Sequence, residues 1–362
     1  MKSITAQDKK QRGQTLLIFV LALGVLMGFT AMAIDVGLFY EDRRHFQNTA
    51  DAAALAGAGE LPYNPAAAKI KAAEWAANNG VPSSELKSIE VRTTDYPNDT
   101  MYVELETQFS WIFGRVLGKT SDPVGASAAA RIGSISGNHD LMPWAIVVGD
   151  SACLDATGIQ IPGADCSVKV GAGSGTTGWY GALDLDGNGG GSAEYNGNII
   201  DGTADTVYCA VGQTEPACET TDIDALSGNK VGGTGHGIED RLAAEPTAGC
   251  SKDGDAVDDF NEVFAPNSTA LAQYIVICPE SPRVIIVPIV TLNGDPVKTV
   301  TIQGWALAYL NGYKCVDDAT CNGAKGHWEV DITMVDAVYS QAAGLIGAFD
   351  PLSSVAVRRL IE

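Results

Sequence analysis

Asp184, Asp186 and Asn188, followed by Gly189, open the stretch DLDGNGGGSAEY with oxygen-bearing side chains at alternate positions. Alternating oxygens ahead of a glycine turn are how a short loop wraps a hard cation, and calcium is the ion that this spacing suits. A complete loop of that kind closes on a bidentate glutamate at its twelfth position. Here that position is Tyr195, and Glu194 stands one place early. A tight Asp/Asn/Gly turn between two strands accounts for the same residues. Both readings stand: a calcium loop in which Asp184, Asp186 and Asn188 are the metal candidates, and a plain turn.

The other chemistry-bearing residue types are less suggestive. Gly114 to Thr120, GRVLGKT, falls one residue short of a phosphate-binding loop because Phe113 stands where glycine is needed. Gly173 to Gly178 matches G-x-G-x-x-G, but the strand-like WYGALDLD follows it where a dinucleotide fold needs a helix. The four histidines, His45, His139, His236 and His327, are scattered, and no G-x-S-x-G elbow is present. No catalytic constellation emerges, so the chain reads as a non-enzyme without an identified small-molecule substrate.

Eight cysteines, Cys153, Cys166, Cys209, Cys218, Cys250, Cys278, Cys315 and Cys321, all lie in the second part of the chain. Their number is even and none forms a C-x-x-C pair. That suits disulfides in an oxidising compartment better than a zinc site. Pairing of sequence neighbours, such as Cys315 with Cys321, is the simplest connectivity. The formal charge of −21 excludes nucleic acid as a partner, since phosphates would be repelled and no basic stripe is visible.

What positions all of this begins at the N-terminus. From Thr15 to Ile34 no residue is charged. Twenty residues at about 1.5 Å each give roughly 30 Å, the hydrocarbon thickness of a bilayer. Lys2, Lys9, Lys10 and Arg12 precede the run, so its N-terminus is expected in the cytoplasm and everything after Asp35 outside the cell membrane. Ala31-Met32-Ala33 also spells a signal-peptidase site, although the apolar region is longer than a signal core. Beyond Asp35, Val36, Phe39, Tyr40, Phe46, Ala50, Ala53, Ala54 and Gly57 recur at helical spacing with no proline before Pro62. One helix from about Thr15 to Gly59 follows, half in lipid and half projecting. Its face of Ala50, Ala53, Ala54 and Gly57 permits close helix packing. That face is expected to meet like helices or assembly partners; packing against the chain's own globular part is the alternative.

The segment RGQTLLIFVLALGVLMGFTAMAIDVGLFYEDRRHFQNTADAAALAGA resembles the N-terminal region of the TadE/TadG-like proteins of Tad (Flp-type) pilus assembly. Arg12-Gly13, Ile34-Asp35, Gln47-Asn48 and the run Ala50 to Ala56 carry the resemblance. It implies a single-pass, pilin-like membrane component that makes protein–protein contacts with pilus-assembly proteins. Pilin-like members are cut after a glycine followed five residues on by glutamate. The residue five after Gly13 is Ile18. The D-x-S-x-S metal site of some TadG-like members is absent.

The expected organisation is α+β. A cytoplasmic tail (1–14) leads to a transmembrane helix (15–34) and its exported extension (35–60). A small α+β domain (61–133) follows, with a second helix from Ala66 to Asn79, a hairpin of SIEVRT and MYVELETQF about a YPNDT turn, a short helix in SWIFGRVLG and a strand in PVGASAAARIG. After a loop at Ser134 to Asp140 comes a larger β-rich, disulfide-containing extracytoplasmic domain (141–362). Thr203 to Gly237 reads as long surface loops. The alternative function is a surface-displayed binding module stabilised by calcium.

Overall fold

The computed structural model describes residues 14–138, 141–149, 152–169, 179–185, 187, 191–202, 208–209, 222–228, 230–267, 272–315, 328–338, 345–350, 353 and 355–361. Asp186, Asn188, the run 173–178, Cys218, Cys321, His139 and His327 lie outside the described residues, as do the side chains of Cys209 and Cys315.

Helix α1 (Gln14–Ala58) runs unbroken for 45 residues, about 68 Å at the helical rise. Helix α2 (Pro65–Asn78) follows a tight turn. Proline occupies its first turn, and the Asn64 side chain accepts a hydrogen bond from the Ala67 N–H at 3.2 Å. Ala68, Ala72 and Ala76, one turn apart, are its buried stripe.

Strands β1 (Leu86–Arg92) and β2 (Thr100–Ser110) form the expected hairpin. Its turn is held by the Asp99 carboxylate, which accepts from the N–H groups of Thr94, Asp95 and Tyr96 at 2.7, 2.8 and 3.0 Å. Strand β3 (Ser121–Asn138) pairs antiparallel with β2 from Ser121↔Ser110 to Arg131↔Thr100. It continues through most of the segment expected to be a linking loop. The expected helix in SWIFGRVLG is a single 3-10 turn at Gly114–Leu117.

Further along lie β4 (Ile146–Val147), β5 (Asp165–Lys169), β6 (Trp179–Asp184), α3 (Ser192–Asp201), β7 (Tyr208–Cys209), β8 (Asp222–Ser227) and α4 (Val231–Leu242). Then come α5 (Phe260–Val263), β9 (Phe264–Pro266), β10 (Tyr274–Val276), β11 (Val284–Asn293), β12 (Thr299–Cys315) and β13 (Trp328–Val335). β14 (Ala337–Val338), β15 (Leu345–Ile346) and β16 (Val355–Leu360) close the chain.

The first sheet has the order β1-β2-β3-β16-β14-β10-β9. Its centre is a long-range pairing: β16 lies antiparallel on β3, from Ala356↔Ser134 to Leu360↔Ala130. Strands from residues 86–138 and from the C-terminal region therefore share one sheet, and the projecting half of α1 packs on it. The second sheet has the order β4-β11-β12-β13-β5, with β8 against β12 and β6. It is apolar on both faces. In β11, Val284, Ile286 and Val290 enter one core, while Ile285, Val287 and Ile289 enter the other, the period-two alternation of a strand buried on both sides. Long helices and mixed sheets together make the α+β architecture.

Helices α3 and α4 of the β-rich region have no counterpart in the sequence reading. α3 and α4 pack against each other so closely that a Cβ at Gly237 would come within 2.6 Å of the Asn196 Oδ1 and 2.9 Å of the Ile199 Cβ. Arg241 secures the pair by donating to the carbonyls of Ile199 (3.0 Å) and Ile200 (2.9 Å). Beneath them, the Trp144 indole N–H donates to the Tyr195 hydroxyl at 2.9 Å, and Tyr195 meets the Thr234 Oγ1 at 3.2 Å. Thr234 in turn donates to the Lys230 carbonyl, so the Tyr195 O–H points to Thr234. Burial pushes the Tyr195 phenol well above its ordinary pKa. Tyr195→Phe keeps the ring and strands the indole N–H in the core, which costs about 1–3 kcal/mol. A thermal melt is expected to show a transition lowered by several degrees.

Disulfides join Cys153 to Cys166 and Cys250 to Cys278, both pairs of sequence neighbours. Closing loops of such length stabilises a fold by about 3 kcal/mol each. A buried ion pair adds to them: Arg283 donates to Glu245 through both Nε and Nη2 and to the Leu310 carbonyl through Nη1 at 2.9 Å.

At the start of β14, burial raises the Asp336 carboxyl from its ordinary 3.8 to about 6, only partly offset by the Gln273 N–H. The folded state therefore holds a proton between about pH 4 and 6 that the unfolded chain has released. Stability must fall as pH rises through that window, by at most about 3 kcal/mol. Asp336→Asn is expected to melt like the parent at pH 4 and at a higher temperature at pH 7. Equal melting differences at both values would refute this.

Candidate functional site at the membrane boundary

α1 has two halves of opposite character. From Leu16 to Ile34 its large apolar side chains are exposed, and the apolar window is wholly unburied within the fold. Among the described residues it is the one helix long and apolar enough to cross a membrane. From Phe46 to Ala58 the same helix is core. Phe46, Ala50, Ala53, Ala54 and Ala58 pack with Ala68, Ala72 and Ala76 of α2 and with Met101, Val103, Ala128 and Ile132 of the sheet.

The small residues thus serve this chain's own packing. Ala50, Ala53 and Ala54 have no exposed surface. A Cβ at Gly57 would sit 2.8 Å from the Ala68 carbonyl oxygen and 2.9 Å from the Met101 Cγ. Of the two expectations for this face, like helices or assembly partners on one side and the chain's own globular part on the other, this structure has it packed on the chain's own α2 and sheet. Gln47 reinforces the docking, its amide reaching both Asp51 (2.8 Å) and the Ser127 carbonyl (3.3 Å).

Between the two halves sits Asp35, which is buried although it closes the uncharged run. Its carboxylate accepts three backbone N–H groups from the tip of the β2–β3 hairpin: Ile112 at 3.2 Å, Phe113 at 2.9 Å and Gly114 at 2.7 Å. One turn above, the Phe39 ring stacks on Trp111 at 5.7 Å and meets Phe109 edge-on at 5.4 Å. Trp111 donates its indole N–H to Asp122 at 2.7 Å. Lys119 lies over the Trp111 ring at 5.3 Å, and its hydrogen bond to Asp122 holds that carboxyl below the usual range. The chain returns to β3 through Gly118, whose φ of +85° suits glycine. This collar fixes the hairpin to the helix at the last turn of the apolar run. Asp35 marks the end of that run in the sequence, but its partners lie 77 to 79 residues away, so only the fold reveals them.

Residues 13–60 match the family described as putative Flp pilus-assembly TadE/G-like. That segment is similar to the TadE/G-like family. It corresponds to α1 and the turn that ends it: the exposed apolar rod, the Asp35 collar and the alanine face. No curated protein and no solved structure matches the chain.

Elsewhere the sequence-derived candidates are dispersed. Asp184 ends β6 opposite Asp224 and is buried, while its proposed co-ligands Asp186 and Asn188 lie outside the described residues. The place of the closing ligand is taken by wholly buried Tyr195 inside α3, which begins within this stretch at Ser192. Glu194 reaches back to the Gly191 N–H as part of that helix's cap. His236 is exposed on α4, 3.6 Å from Glu239. A group the sequence reading passed over, Asp253, Asp255 and Asp259, is exposed and within metal-binding reach. Its oxygens also serve the loop, Asp253 accepting from Asp255 N–H and Asp255 from Val257 N–H.

Proposed function

We propose that this protein is a single-pass structural component of a Tad/Flp-type pilus-assembly apparatus. The apolar half of α1 sits in the cell membrane, the basic tail stays in the cytoplasm, and the disulfide-bonded sheets stand outside to contact pilus-assembly proteins. The observation that carries this is the abrupt change along one continuous TadE/G-like helix. It is bare and apolar up to Ile34, then becomes the core of a folded unit from Phe46 onward. The two disulfides favour an oxidising compartment for that unit, and the charges of the first twelve residues favour a cytoplasmic N-terminus.

Fractionation of cells carrying the full chain tests it. The protein should resist alkaline carbonate extraction, and protease added outside the inner membrane should remove the residues beyond Asp35 while sparing the tail. Cross-linking in the same cells should recover other pilus-assembly proteins. Release by carbonate, or a protected C-terminal region, would overturn the assignment.

A further inference from the structure

The tip of the β2–β3 hairpin is apolar where solubility would call for polar residues. Val116 is 86% exposed, Leu117 80%, Ile112 55% and Phe113 42%. Isolated exposed apolar residues are ordinary, but a contiguous cluster marks a contact surface. Its place in the fold says which contact. Asp35 ties the tip to α1, and from there the tip hangs back along the apolar rod. Phe113, Val116 and Leu117 border an open apolar groove of about 680 Å³ whose other wall is Met27, Gly28 and Ala31. Met27 lies eight residues before Asp35, so the groove reaches about 12 Å down the span.

Charge points the same way. The whole chain carries 44 acidic against 23 basic residues. Yet Trp111 to Thr120, WIFGRVLGKT, holds Arg115 and Lys119 and no acid at all. Cations and tryptophan interleaved with exposed apolar side chains are what a bilayer interface with anionic headgroups accommodates.

We infer that the hairpin tip Ile112–Leu117 is a second membrane element, inserted into the outer leaflet beside α1, with lipid acyl chains filling the groove. The inference rests on the anchoring proposed above. It adds that the exported sheet is seated on the bilayer at two points, α1 and the tip, so that its tilt is fixed.

The test is a photo-reactive p-benzoylphenylalanine placed at Leu117 in the full chain, reconstituted in vesicles of phosphatidylethanolamine and phosphatidylglycerol. The same probe at Leu21 reports on the span and at Ile159 on the distant surface. An unchanged melting transition verifies folding. After irradiation, mass spectrometry should find phospholipid adducts at Leu117 nearly as abundant as at Leu21 and in several-fold excess over Ile159. Adducts at Leu21 but not at Leu117 would overturn the wedge and leave the anchor standing. Cross-links from Leu117 to a second protein chain would overturn it in favour of a protein-docking surface. Absence of lipid adducts at both positions would remove the anchor as well.

Discussion

Ala53→Leu combined with Ala54→Leu is expected to unfold the sheet packed on α1, not merely to loosen a contact with neighbours. Both alanines have no exposed surface, and they lie in a core already filled by Ala68, Ala72, Met101 and Ile132. Each substitution drives a branched side chain into close-packed volume, at a typical cost of about 1–3 kcal/mol. Two on adjacent faces of one turn give roughly 2–6 kcal/mol, a large share of the 5–15 kcal/mol that holds a domain together. The measurement is a thermal or denaturant melt of the full chain in detergent, with exposed Ala66 in α2 changed to leucine as the control. A double variant that melted like the parent and lost only its partners in co-purification would show that the face is outward after all. Gly57→Ala probes the same seam from one turn further on, where even a methyl group meets the Ala68 carbonyl.

Short-range patterns were legible in the sequence, and long-range pairing was not. The uncharged run, the alanine periodicity and the absence of proline before Pro62 mark out α1 within a residue or so of Gln14–Ala58. Alternation of apolar and polar residues with a turn between them marks β1 and β2. The same reading stops β3 at Gly133, because Ser134 to Asp140 is rich in loop-forming residues. The strand continues to Asn138 since β16 pairs with it as far as Ser134, and β15 and β7, which lie far away in sequence, pair with it from Ile135 to Asn138. α4 was hidden for a related reason. VGGTGHGIEDRL contains four glycines, each costing helix propensity of about 1 kcal/mol. Tertiary packing overrides that cost: at Gly237 the absent side chain is what lets α3 approach. For the alanine face, periodicity gives the direction of the stripe but never the identity of what covers it. The same pattern serves a neighbour's helix or the chain's own sheet. The cysteines allow neighbour pairing without requiring it, and Cys153–Cys166 and Cys250–Cys278 both take that form.

Asp35→Ala should release the hairpin tip from α1 while leaving the core beyond Phe46 folded. A carboxylate accepting three backbone N–H groups makes charge-assisted bonds, each contributing about 1.5–3 kcal/mol when the partners are otherwise desolvated. Loss of all three is expected to cost about 3–5 kcal/mol locally, because the stacking of Phe39 on Trp111 remains. In amide hydrogen exchange of the detergent-solubilised chain, Ile112, Phe113 and Gly114 should then open on the order of 10² to 10⁴ times more often, while β2 and β3 amides keep their protection. Asp35→Asn divides the effect. Its one carbonyl oxygen can still serve Phe113 and Gly114, which share the Oδ2 position, but an amide nitrogen would face the Ile112 N–H. Exchange intermediate between parent and alanine variant is the expected result, and exchange identical to the parent in Asp35→Ala would sink the clamp. The bonds run to backbone, so the tip can vary in sequence without losing its hold. What cannot vary is an acceptor at the last turn of the apolar run. There a single side chain ties the hairpin tip to the apolar half of α1.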